Sequence, residues 1–132
     1  MLKKAFIGFL DSISPLFPLG LLKTISRQHA LLPFYHIISD TEVPHVKHLY
    51  HVKTTKDFVQ DLDYLLKYYQ PIGLDELIQS VNDEKSVPRN ALFLSFDDGL
   101  AECYHIIAHI LKKKGIQATF FLNRDFIDNK AL

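Results

Sequence analysis

The chain has 132 residues, 15 basic and 15 acidic side chains, a formal net charge of zero and one cysteine. Balanced charge gives no electrostatic footprint for nucleic acid, and a lone Cys103 excludes a disulfide framework. A hydrophobic content of 48% supports one packed domain or part of a larger one.

At the N-terminus, Lys3 and Lys4 precede the apolar run Ala5–Leu10, but Asp11 interrupts it and no small-residue cleavage site follows. That is too short for a signal-peptide core, and no stretch of the chain approaches the length of a spanning helix. The expected location is therefore cytoplasmic or membrane-peripheral. Residues 1–30 read as an N-terminal apolar segment, a strap under a barrel or a surface lying on a partner or membrane.

A domain is expected over 31–132. Its first strand is predicted near 31–38, where aromatic and branched residues follow Leu31 and Pro33. Residues 39–54 form a polar loop holding His45, His48 and His51 at spacings of three. Nothing in the sequence fixes their geometry, so they read as solvated loop histidines and not as a metal site. His36, at the strand, is either a rim residue able to contact substrate or a hydrogen-bonded core histidine.

A helix is predicted near 55–69. Thr54 and Asp57 have the capping pattern, Phe58, Leu62, Leu65, Leu66 and Tyr69 recur at helical spacing, and Pro71 ends it. Pro71-Ile72 reads as a very short strand. A second helix near 74–81 starts after Gly73, with Asp75 and Glu76 favourably placed against the helix dipole. Its apolar stripe is Leu77, Ile78 and Val81.

The last third is the most informative. The apolar run 91–96 reads as a buried strand, followed by Asp97, Asp98 and Gly99 and then a helix near 100–113 that should bury Leu100, Cys103, Ile107, Ile110 and Leu111 and ends at Gly115. A further strand is predicted near 116–122. This strand–helix–strand unit requires parallel strands whose C-terminal ends share one rim, where α/β folds place their chemistry. Two adjacent carboxylates at a strand end are costly unless something compensates their charge. A helix cap explains one Asp and leaves the other unexplained. A divalent cation explains both: one carboxylate binds the metal and the other accepts a proton from metal-bound water.

The sequence Leu94-Ser95-Phe96-Asp97-Asp98-Gly99, followed by Ala118-Thr119-Phe120-Phe121-Leu122, resembles the start of the polysaccharide deacetylase domain (the NodB-homology domain, carbohydrate esterase family 4). The resemblance implies an α/β fold, the N-terminal part of an irregular (β/α) barrel. It implies Asp97 as the general base and Asp98 as a ligand of a divalent metal, most commonly zinc. It also implies an N-acetylated (or O-acetylated) carbohydrate as the substrate. The family's remaining ligands, an H-x-x-x-H pair, lie after the A-T-F-F strand, so this chain is expected to be incomplete at its C-terminus and inactive alone. His105 and His109 have the same spacing but precede that strand. On a helix they fall opposite the buried Ile107 and should face solvent. The alternatives are a magnesium-dependent phosphoryl-transfer or receiver-like domain using the Asp97-Asp98 pair, and a truncated deacetylase acting as a binding module. Oligomeric state is left open.

Overall fold

Every strand pairing among the described residues runs through one central segment, residues 91–96. The computed structural model describes Phe17, Pro18, Gly20, Leu21, residues 30–44 and residues 46–124. Most of the N-terminal segment and His45 lie outside these residues.

The elements follow in chain order: β1 (Ala30–Leu31), β2 (Phe34–Tyr35), α1 (Thr55–Leu65), β3 (Gln70–Pro71), α2 (Leu74–Asn82), β4 (Ala91–Leu92), β5 (Ser95–Phe96), a π-helical turn (Cys103–Ile107), α3 (Ala108–Lys114) and β6 (Thr119–Phe120). Two three-stranded arrays result, ordered β1-β4-β3 and β2-β5-β6, with every pairing parallel. The hydrogen bonds run on between the arrays. Phe93 N–H donates to Leu31 O, Ser95 N–H to Pro33 O and Asp97 N–H to Tyr35 O, while Ile72 donates to Leu92 O and Thr119 to Leu94 O. Alternate residues of the 91–97 segment thus bond to opposite neighbours. Residues 30–35 flank one side, and β3 and β6 lie end to end along the other.

The predicted strand 31–38 is therefore two short strands. Pro33 has no N–H to donate, and the pairing is interrupted beside it. The predicted strands 91–96 and 116–122 likewise narrow to β4 with β5 and to β6. The parallel β–helix–β unit is present as expected, with Ser95 opposite Thr119 and Phe96 opposite Phe120. The described strands form a mixed α/β structure with small parallel sheets and do not by themselves close a barrel.

Helix α1 starts as its sequence predicts. Thr54 Oγ1 accepts from Asp57 N–H at 3.1 Å and donates to the Asp57 carboxylate at 2.8 Å. Its regular part ends at Leu65, and a turn then carries the chain to Tyr69 and into β3. Phe58 and Leu62 are fully buried under the sheet with Phe96, Ile38, Leu92, Leu94 and Ile107. Tyr35, Phe96 and Phe120, one from each strand of the second array, stack across it at 5.7 and 5.0 Å, and Phe58 meets Tyr35 and Phe96 edge-on.

Of the five residues expected to be buried on the helix near 100–113, Cys103, Ile107 and Leu111 are buried and Leu100 and Ile110 only partly so, and its first part is wound as a π-helix. Gly115 ends it at φ +67°, the left-handed conformation glycine accommodates. Helix α2 differs more. It buries no residue: Leu77 packs partly against Ile72, Ala91 and Phe93, while Ile78 and Val81 are exposed. Periodicity identified the helix but not how much of its apolar stripe this part of the chain covers.

Candidate active site at the strand ends

Parallel pairing brings the candidate residues to one rim. Tyr35 is opposite Phe96, and Phe96 opposite Phe120. The residues one step further, His36, Asp97 and Phe121, emerge together at one rim.

Asp97 is half-buried, its backbone N–H held by Tyr35 O at 2.9 Å. Asp98 then leaves the strand. Its φ of +69° and that of Gly99, +64°, make two consecutive left-handed residues. Strand alternation therefore stops at Asp97, and the turn itself sets the direction of Asp98. Aspartate tolerates the left-handed region better than most residues, but the conformation is still uncommon. Strained backbone of this kind concentrates at functional sites. Gly99 fits the turn closely: a Cβ there would lie 2.7 Å from Leu122 Cδ2.

His36 belongs to the rim and not to the core. Its Nε2 lies 4.0 Å from Asp98 Oδ2, and both side chains are partly exposed, at 39% and 52%. The sequence left His36 open between these places. The parallel register with Asp97 resolves it, and that register is invisible until the strands pair. Phe34 and Tyr50 flank the imidazole, with ring centres at 5.7 and 6.4 Å. Below it, Cys103 Sγ approaches His36 O at 3.8 Å, and burial pushes the thiol pKa up, with Glu102 adding to the effect. Cys103 is the small buried hydrophobe its sequence position predicts.

The other candidate histidines lie apart. His105 and His109 are exposed on the far side of their helix, beside Tyr104. His48 and His51 are exposed in the 39–54 loop. Among the described residues no three His, Cys, Asp or Glu side chains come together as a metal-binding group. The Asp98 carboxylate and the neighbouring His36 nitrogen are nevertheless an oxygen and a nitrogen donor at one rim, the ligand chemistry a borderline divalent ion accepts.

Residues 84–131 match the family model of polysaccharide deacetylase. That deacetylase segment contains the Asp97-Asp98-Gly99 turn, the helix after it and β6, the same residues that carry the resemblance in sequence. No curated protein matches the chain. Among solved structures, the chain is similar to a de-N-acetylase from Aggregatibacter actinomycetemcomitans, with a TM-score of 0.58, 24% identity, and coverage of 69% of this chain and 36% of that one. It is also similar to the Streptococcus pyogenes deacetylase PplD, solved in complex with acetate, with a TM-score of 0.57, 21% identity, and coverage of 67% and 40%. At these identities the likeness is one of fold. The chain spans well under half the length of either structure. Among the described residues no helix is long and apolar enough to cross a membrane.

Proposed function

We propose that this chain forms the first part of the active site of a metal-dependent carbohydrate deacetylase that hydrolyses N-acetyl groups. The observation that supports this most is the Asp97-Asp98 pair at the parallel-strand rim, inside the segment that matches the deacetylase family.

In this reading Asp98 holds a divalent metal, most commonly zinc in the family it resembles. The metal supplies a lowered pKa for bound water and polarises the acetyl carbonyl. Asp97, fixed by its backbone bond to Tyr35, is the general base that takes a proton from the attacking water. His36, beside Asp98, is a third polar group at the rim, able to bind the substrate or hold a proton. Catalytic metals normally have three protein ligands. Asp98 is one, and the others come from outside the described residues, as the H-x-x-x-H pair of the resemblance does.

The test is acetate release from N-acetylglucosamine oligomers with added zinc. A protein joining these residues to a downstream H-x-x-x-H segment should release acetate, and residues 1–132 alone should not. Acetate release by the 132 residues alone would overturn the proposed division of ligands. No release by the longer protein would overturn the deacetylase reading.

A further inference from the structure

The 39–54 loop connects the rim to α1, and long loops without secondary structure in a compact domain are commonly functional. It is held at both ends. Ile38 bridges Lys53, Ser39 N–H donates to Lys53 O at 3.0 Å, and Thr55 N–H donates to Asp40 Oδ1 at 2.8 Å. Ile37, Val43 and Val46 form a small core beneath it, and Lys47 pairs with Glu42 at 2.8 Å. The loop borders an open, solvent-facing cleft of about 450 Å³, within the roughly 300–1,000 Å³ range of small-molecule clefts.

Its lining is mostly polar and includes the charged Asp40, Glu42 and Lys47. Thr41, His48 and His51 line it beside Leu49 and Tyr50. Among the described residues neither His48 nor His51 makes a hydrogen bond, so their ring nitrogens are available. Tyr50 is 44% exposed, and its ring centre lies 6.4 Å from that of His36, the neighbour of Asp98. One side chain therefore borders both the cavity and the rim. A pyranose ring has an apolar C–H face and a circumference of hydroxyls, which suits an aromatic wall with polar groups around it.

We infer that the cavity of the 39–52 loop is a subsite for one pyranose ring of a carbohydrate chain, with Tyr50 as the wall it shares with the Asp98–His36 rim. The ligand class rests on the deacetylase reading, while the site rests on the loop. A sugar seated there directs the next unit of the chain past Tyr50 toward the two carboxylates. Held at both ends, the loop loses little freedom on binding.

The test is calorimetric titration of the 132-residue chain with the β-1,4-linked tetramer of N-acetylglucosamine, without added metal. Tyr50→Ala should weaken binding about tenfold, and Tyr50→Leu, which keeps apolar bulk and removes the ring, should weaken it similarly. Tyr50→Phe, and Val81→Ser on the exposed face of α2 away from the cleft, should stay within about twofold of the parent. Unchanged binding by both Tyr50→Ala and Tyr50→Leu overturns the subsite, as does no binding by the parent chain at millimolar tetramer. Zinc binding that His48→Ala abolishes, in a chain that ignores the tetramer, makes the cavity a metal site and also overturns it. Tetramer binding that depends on Tyr50 without acetate release from the longer protein leaves the subsite standing and removes the deacetylase reading. Acetate release with a KM unaffected by Tyr50→Ala does the reverse.

Discussion

His36 Nε2 stands 4.0 Å from Asp98 Oδ2 across the ends of two neighbouring parallel strands. The contact makes the rim a site drawn from two distant parts of the sequence. It also gives the paired aspartates different surroundings, since Asp98 has the imidazole as its neighbour and Asp97 is held through its backbone.

The roles proposed for the two aspartates lead to different losses. In an active protein that includes these residues, Asp97→Asn should lower kcat by about a hundredfold or more, the scale of general-base catalysis, while leaving zinc affinity largely unchanged. Asp98→Asn should weaken zinc binding. Parallel zinc titrations of the two variants decide the matter, and equal affinities would refute the assignment.

The left-handed turn gives a stability test. Asp98→Gly removes the side-chain penalty of φ +69° and one of two adjacent negative charges, so it should stabilise the fold by up to about 1 kcal/mol while abolishing activity. Gly99→Ala should destabilise by about 1 kcal/mol, mainly through its φ of +64°, because the nearest atom to the new methyl is the movable end of Leu122. Urea unfolding of both variants reads the two signs. A destabilised Asp98→Gly would mean that the aspartate's local interactions outweigh its strain.

Phe96 is fully buried, with Tyr35 and Phe120 stacked on it and Phe58 against its edge. Phe96→Ala should cost about 3–5 kcal/mol, and in a fold of ordinary marginal stability it should shift or abolish the unfolding transition. A loss under about 1 kcal/mol would show that the aromatic stack is not the centre of the core.

Lys53 and Asp61 form an ion pair at 2.6 Å that fastens the base of the loop to α1. The hydrogen bond to Asp61 holds the Lys53 pKa above its ordinary value of 10.5, with partial burial opposing it. A raised lysine contributes stability that is fully present below its unfolded pKa and is lost as pH rises through the folded one. Lys53→Met should therefore lose stability at neutral pH, by less than about 1 kcal/mol for so exposed a pair. The difference from the parent should disappear in the alkaline range above 10.5. Unfolding curves at both pH values measure it, and a gap that persists undiminished would assign the effect to packing.

Much of this arrangement was legible in the sequence because its signals are local. The Thr54–Asp57 cap, the Asp-Asp-Gly turn, the Gly115 stop and the burial of Cys103 and Ile107 each follow from residues a few positions apart. The strands were legible in place but not in extent, because Pro33 interrupts one pairing and the partners of the central segment change midway. His36 was not assignable, because its neighbour depends on register between strands far apart in the chain. The exposure of Ile78 and Val81 was hidden for a similar reason: periodicity defines an apolar face without saying what lies against it.

Because residues 91–96 mediate both arrays, none of the strand pairings can form before that segment has been synthesised. The segments at 30–35 and 70–71 have no strand partner among the described residues until the central segment has been synthesised, and parallel pairing at such sequence separation is slow. Until then α1, whose Phe58 and Leu62 pack against Leu92, Leu94 and Phe96, has its apolar face uncovered. That interval is when a chaperone would be most useful, and a stop codon before position 91 would leave a peptide able to form helices but none of these strand pairings.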